Sequence, residues 1–374
     1  MLKRILFFLG HPAHFHLFRH SVLELEKMGH QVDVVIKTKD ILSDLLDTAG
    51  LPYVNLLPGG RADGTLGIIV GVMKKNRALY RYCKQRRPDI MAGTSAEIAH
   101  VGKILGIPSL VFSEDDYSVI RQFGRATYPF TDVILSPQSC NNGRWNRKTV
   151  HYHGYHKLAY LHPHRFTPDR TVVERYLNAE EPFFMLRLAK LSAHHDAGIN
   201  GLDDSITEKI VARLSREGRV LVSSERSLPE SLEPFRLQIN PLDIHHLMAH
   251  SRLFISDSQS MTVEAAMLGV PSVRYSDFSG RIGVLEELEK KYELTRSVRT
   301  GQTQQFFRII EDYLADAQIH QISQERKKKM LGEKIDVTAF ISWFINEYPE
   351  SRMIMDNQPD YDLRFLIPAE EAMK

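Results

Sequence analysis

The chain opens with a short uninterrupted apolar run, Ile5–Leu9, which predicts a strand covered on both faces. The polar stretch Gly10-His11-Pro12-Ala13-His14-Phe15-His16 follows and reads as a loop. Behind it Leu17, Val22, Leu25 and Met28 are apolar along a helical stretch that Gly29-His30 stops, glycine being suited to the left-handed end of a helix. Gln31–Ile36 predicts the next strand. The alternation continues through helix Ile41–Thr48 with strand Pro52–Leu56, and through strand Pro88–Ala92 with helix Ala96–Leu105. Ser109–Ser113 and Asp132–Ser136 predict two further strands. Strand and helix in alternation imply right-handed crossovers and a parallel sheet.

Between Val150 and Arg170 the periodicity fades, which places a domain boundary near residue 165. The pattern then restarts, with Phe183–Leu188, Arg219–Ser223, Leu237–Asn240, Leu253–Ser256 and Ser272–Tyr275 reading as strands. The expected fold class is α/β: two doubly wound, Rossmann-like domains, residues 1–165 and 166–336, facing a cleft. Ligands of such sheets sit outside the C-terminal strand ends. Val337–Tyr348 predicts an apolar helix, and residues 337–374 as a whole a helix and polar tail that packs back on the first domain.

Composition narrows the function. The length of 374 residues suits two domains, and 43% hydrophobic with 25% charged residues is ordinary for a globular chain. Forty-eight Lys and Arg against 46 Asp and Glu leave a net charge of +2, no electrostatic case for a nucleic-acid partner. Cys83 and Cys140 are the only cysteines, which excludes a disulfide scaffold and a Cys-rich zinc site. The first apolar run meets Gly10-His11-Pro12 without a small-residue cleavage site, and no segment nears the roughly 18 apolar residues of a membrane span. A cytoplasmic protein is expected. No His-Glu-x-x-His occurs and the one Asp-x-Asp, Asp360-Tyr361-Asp362, lies in the tail, so neither a metal nor a cofactor is expected.

The most specific segment runs from Ser256 to Pro271. A strand end, the small polar residues Asp257-Ser258-Gln259-Ser260 and a helix opening near Ser260 present free N–H groups and a positive helix end, suited to a diphosphate. Glu264, one turn on, is placed to accept two ribose hydroxyls; a capped helix with a solvated glutamate is the bland alternative. The segment resembles the nucleotide-sugar signature of two-domain GT-B glycosyltransferases and of UDP-N-acetylglucosamine 2-epimerases. Asp257, Ser258, Glu264, Ala265, Leu268, Gly269 and Pro271 fall in step with the epimerase pattern, while Gln259 and Ser260 replace its two glycines. Side chains there leave less room for backbone beside a phosphate. Asn240–Ala249 resembles the base-holding segment of the lipid-linked N-acetylglucosamine transferase of peptidoglycan synthesis, which brings Ile244 to the nucleotide. From Gly10-His11-Pro12-Ala13-His14 to Gly154–Pro163, the chain resembles domain-of-unknown-function family 354, over roughly residues 1–340.

Other candidates follow. The Gly10–His16 loop is similar to the glycine-rich loop of the peptidoglycan transferase, its closing histidine matching His14. Gly10 and His11 would meet substrate and His14 would act as base toward an acceptor hydroxyl; capping of the helix is the alternative, more so for His11. Asp115 or Asp116, after strand Ser109–Ser113, is a second candidate base or else part of a solvated acidic turn. Arg187, Lys190 and Arg226, after strands of the second domain, would neutralise a leaving diphosphate, or be surface cations. Residues 66–87 join an apolar segment to a basic helix, either a core helix with a solvated basic face or a contact with an anionic membrane. The resemblance implies a metal-independent, inverting transferase that moves a sugar from a nucleotide-sugar donor, a UDP-sugar for preference, to a glycan or lipid-linked acceptor in surface polysaccharide assembly. A nucleotide-sugar 2-epimerase and a non-catalytic nucleotide-sugar-binding protein are the alternatives. The epimerase Thr-Arg-Pro-Glu is here His11-Pro12-Ala13-His14, which favours transfer.

Overall fold

Seven strands build a first sheet: β1 (Arg4–Leu9), β2 (Gln31–Lys37), β3 (Val54–Leu57), β4 (Ile90–Gly93), β5 (Ser109–Phe112), β6 (Val133–Pro137) and β7 (Thr149–Tyr152). Their order is β3-β2-β1-β4-β5-β6-β7 and every pairing is parallel. The computed structural model describes residues 1–37, 41–57, 65–178, 180–189 and 201–368. It divides into two units, the first Met1–Tyr160 with Lys334–Leu366, the second Leu161–Glu333 with Ile367 and Pro368.

The first sheet is buried on both faces, which explains why its central strands read as unbroken apolar runs: Ile5 to Leu9 of β1 are all buried. On one face Leu6, Phe8, Val35, Met91, Val111 and Ile134 meet Ile98, Ala99 and Val101 of the helix Ala96–Leu105. On the other, Phe18 of the helix Pro12–Lys27 packs between Phe7 and Phe112, with ring centroids 5.2 and 5.0 Å away. The helix Val337–Asn346 completes this unit. Ser342 donates to Glu24 at 2.6 Å, and the Lys3 ammonium donates to the carbonyl of Tyr348 at 2.7 Å.

Beyond it the polar stretch is ordered as far as Pro368. Glu350–Asn357 is a helix and Tyr361–Phe365 a 3-10 turn that packs on Trp343 through Tyr361 (5.2 Å) and Phe365 (5.6 Å, centroid to centroid). Residues 369–374 lie outside the described residues. Gly154 is required where β7 leaves the sheet, since an added Cβ would stand 2.4 Å from Val337 Cγ2.

The second sheet holds β8 (Phe183–Leu188), β9 (Arg219–Ser224), β10 (Phe254–Ser256), β11 (Ser272–Tyr275) and β12 (Arg296–Val298), in the order β12-β11-β10-β8-β9, again all parallel. Leu237–Asn240 is not one of its strands. Arg236 forms a single bridge with Val222, Leu237 adds one backbone bond, and Asn240-Pro241 then opens a 3-10 turn that ends the pairing. Conversely, β7 and β12 are strands that the apolar pattern does not announce; both are edge strands, and short.

In each sheet the strand order reverses once, between β1 and β4 in the first and between β8 and β10 in the second. Loops leaving the two strands at such a point diverge and open a crevice at their C-terminal ends.

Candidate functional site

The helix after β1 starts earlier than its apolar spacing suggests. His11 is its N-cap, with Nδ1 accepting the Ala13 N–H at 3.2 Å, and Pro12 takes the first helical position, where a missing N–H costs nothing. His14 therefore belongs to the first helical turn and not to a loop. Its ring turns back so that Nδ1 accepts the Gly10 N–H at 3.0 Å, while Nε2 lies 2.5 Å from the Thr94 hydroxyl at the end of β4. With Nδ1 accepting, the ring proton of the neutral form sits on Nε2 and goes to Thr94. The contact ties β1 to β4 across the first reversal point.

Glu114 follows β5 at the same edge. One carboxylate oxygen accepts the His156 backbone N–H at 2.6 Å, the other pairs with the Lys157 ammonium, and all three side chains are about nine-tenths buried. Burial alone would push the Glu114 carboxyl up, but the charge of Lys157 and the His156 N–H outweigh it and hold the group below its ordinary range. His156 shows the opposite balance. Burial pushes its imidazole down to about 4, against the pull of Glu114, so the ring is neutral at pH 7.

Asp116 is used by its own loop: its carboxylate accepts the Asn141 N–H at 2.9 Å and its carbonyl the Val119 N–H at 2.9 Å. Asp115 lies beside it, half-buried.

In the second unit Ser258 caps the helix Gln259–Leu268, its hydroxyl accepting the Met261 N–H at 3.4 Å. Gln259 and Ser260 thus stand in the first turn, one residue earlier than expected, where N–H groups have no intrahelical partner. Asp257 is buried, and its carboxylate accepts the N–H groups of Ala189 (2.7 Å) and Leu202 (3.2 Å), tying β10 to the segment after β8 across the second reversal point. Burial pushes this carboxyl up to about 6, opposed by those N–H donors and by Arg226.

Arg187, in register with Ser256, donates to Ser223 at 2.7 Å and pairs with Glu225. Arg226 donates to the Leu202 carbonyl and lies 3.8 Å from Asp204. Lys190 lies outside the described residues. Glu264 is buried rather than solvated, with an oxygen 3.5 Å from His245 Nε2; His245 follows Ile244, the first residue of the helix Ile244–His250. Phe166 packs against His246 with centroids 4.7 Å apart. Among the described residues, no three His, Cys, Asp or Glu side chains converge as metal ligands, and no helix is long and apolar enough to cross a membrane.

Residues 4–336 match the family described as a protein of unknown function, DUF354. The chain belongs to this family.

No curated protein matches the DUF354 chain. Solved structures do. The UDP-GlcNAc 2-epimerase of Neisseria meningitidis bound to UDP-GlcNAc is 14% identical with a TM-score of 0.63, covering 94% of this chain and 99% of its own. The UDP-GlcNAc 2-epimerase of Methanocaldococcus jannaschii is 13% identical with a TM-score of 0.61, over 84% and 93%. Acinetobacter baumannii MurG is 14% identical with a TM-score of 0.53, over 92% and 99%. These likenesses establish the fold, two parallel-sheet α/β domains of the GT-B kind.

Within that fold the DUF354 chain gathers Gly10, His11 and His14 with Thr94 at one reversal point, and Arg187 with Ser258, Gln259 and Ser260 at the other. The Glu114–Lys157–His156 cluster is one that sequence reasoning missed. Its signal was divided between an acidic run and the Gly154-Tyr155-His156-Lys157 segment, joined only by folding.

Proposed function

We propose that the DUF354 protein is a metal-independent, inverting glycosyltransferase that takes a sugar from a UDP-sugar and passes it to a glycan or lipid-linked acceptor in surface polysaccharide synthesis. The observation that carries this reading is the second reversal point, where the ten-residue helix Gln259–Leu268 begins one strand away from the Arg187 guanidinium. Unsatisfied N–H groups, a positive helix end and an arginine suit a diphosphate, and the same groups stabilise the charge that grows as it leaves. Glu264 and Ile244 flank this loop for the nucleoside, and Arg226 adds positive charge. His14 holds the first loop in place through Gly10 and Thr94. On the helix Thr65–Arg86, Lys74, Arg77, Arg81 and Lys84 are exposed at helical spacing, which supports contact with an anionic lipid surface at the inner face of a membrane.

A second reading, nucleotide-sugar 2-epimerisation, is favoured by Asp115 and Asp116 in the loop after β5, since abstraction of a proton from a sugar carbon calls for a carboxylate at such a strand end. Thermal-shift measurement against UDP-, GDP-, dTDP- and CMP-sugars tests the shared premise. A ligand at 100 times its dissociation constant adds about 2.7 kcal/mol to stability. No shift with any of them removes the donor reading, and a change at C2 of UDP-N-acetylglucosamine without acceptor decides for the epimerase.

A further inference from the structure

We propose that His156 takes the proton from the attacking sugar hydroxyl, through Nε2, with Glu114 and Lys157 positioning its ring. This rests on the nucleotide-sugar reading and names the base within it. His156 stands in the loop that leaves β7, at the C-terminal edge of the first sheet. It is 9% exposed, and its Nε2 is buried with no hydrogen-bond partner among the described residues. An orphaned buried acceptor or donor is costly, and such atoms persist where a ligand completes them.

The ring lies beside Glu114. The backbone N–H of His156 is bound to Glu114 Oε1 at 2.6 Å, its Nδ1 lies 4.0 Å from Oε2, and the Phe112 ring sits 6.5 Å away, centroid to centroid. With the carboxylate on the Nδ1 side, the ring proton is favoured there, which leaves the Nε2 lone pair unprotonated and able to accept.

Glu114 is itself poorly placed for the task. One oxygen is held by the His156 N–H and the other by Lys157. It keeps its charge, and that charge faces the imidazolium that forms on proton transfer. Two other candidates are engaged, His14 with Gly10 and Thr94, and Asp116 with Asn141.

In the step, the hydroxyl O–H bond breaks and its proton goes to the Nε2 lone pair. The freed oxygen pair forms the bond to the anomeric carbon of the donor. The bond from that carbon to the diphosphate oxygen breaks, and its electron pair leaves with the nucleoside diphosphate.

Two measurements on the full chain test this. Long-range proton–nitrogen NMR of 15N-histidine protein, with His156→Gln for assignment, is expected to show His156 neutral at pH 7 with the proton on Nδ1. A ring protonated on Nε2, or charged at pH 7, overturns the proposal whether or not a nucleotide binds. UDP release from UDP-N-acetylglucosamine and UDP-glucose, with water as the slow acceptor, is expected to fall by about 10²-fold or more in His156→Gln at unchanged affinity for UDP. An unchanged rate overturns it. Should that variant not fold, Glu114→Gln serves: a positioning role lowers the rate and moves the pH midpoint, whereas a merely structural role lowers only the folded fraction. If the unaltered chain releases no UDP and binds none, the nucleotide-sugar reading fails and the proposal with it, whereas the wrong tautomer in a chain that does release UDP overturns the proposal alone.

Discussion

Lys157 and Glu114 form an ion pair whose two side chains are only 10% and 11% exposed. Taking either charge out of water is expensive, and their attraction offsets that cost only while both are present. Lys157→Met should therefore destabilise the first unit by about 3–5 kcal/mol, leaving an uncompensated carboxylate. Lys157→Met with Glu114→Leu should recover most of the loss. Urea unfolding of the two variants measures the coupling, and equal losses in both would show that the pair contributes nothing.

His156 sets a pH dependence of known sign. Its imidazole titrates at about 4 in the native chain against an ordinary 6.5. Between those values the unfolded chain binds a proton that the native chain refuses, so stability falls as pH drops from 6.5 towards 4. The contribution is roughly 3 kcal/mol by linkage. His156→Gln should flatten this slope, and urea midpoints of both proteins at pH 4.5 and 7 would reveal it.

Asp257 works in the opposite direction. Its carboxyl is raised to about 6 from 3.8, so the native chain holds a proton that the unfolded one has released. Stability of the second unit should then fall, by roughly 3 kcal/mol, as pH rises from about 4 to 6. Asp257→Asn removes the titration. Unfolding midpoints in which wild type and variant keep a constant gap across that range would count against the assignment.

Arg187→Ala should weaken UDP binding at least tenfold, about 1.4 kcal/mol, with little change in melting temperature, because its partner Glu225 is itself half exposed. His14→Ala should leave UDP affinity intact and lower turnover, since its ring orders a loop of the other unit. Calorimetric titration with UDP separates the two; the reverse pattern would place the donor in the first unit.

Gly154→Ala should destabilise by about 1–3 kcal/mol, since the added methyl meets Val337 Cγ2 at 2.4 Å and one of two packed segments must move. Urea unfolding provides the number, and a neutral result would mean that the loop yields freely.

The alternation of strand and helix was legible because every inner strand is covered on both faces and leaves an apolar run. What was not legible depended on pairing at a distance. Leu237–Asn240 has the apolar spacing of a strand but only a fleeting neighbour in Val222. Arg296–Val298 has almost no apolar signal, yet pairs with β11. In the site, Arg187 and Ser258 could be placed because strand ends and helix starts are local features. Glu114 could not be told from its acidic neighbours Asp115 and Asp116, since its burial is set by Lys157, far along the chain.

The first unit is built from two distant stretches of chain, residues 1–160 and 334–366, with the whole of the second unit between them. During synthesis the face of Pro12–Lys27 that receives Val337–Asn346 must wait for some 180 residues to be made, roughly 10–40 s at ribosomal speed. For that interval the outer face of the Pro12–Lys27 helix stands uncovered while the second unit is already free to fold. The nascent chain thus makes this helix face early and covers it last, which makes the interval before residue 337 emerges the period when a chaperone has something to protect there.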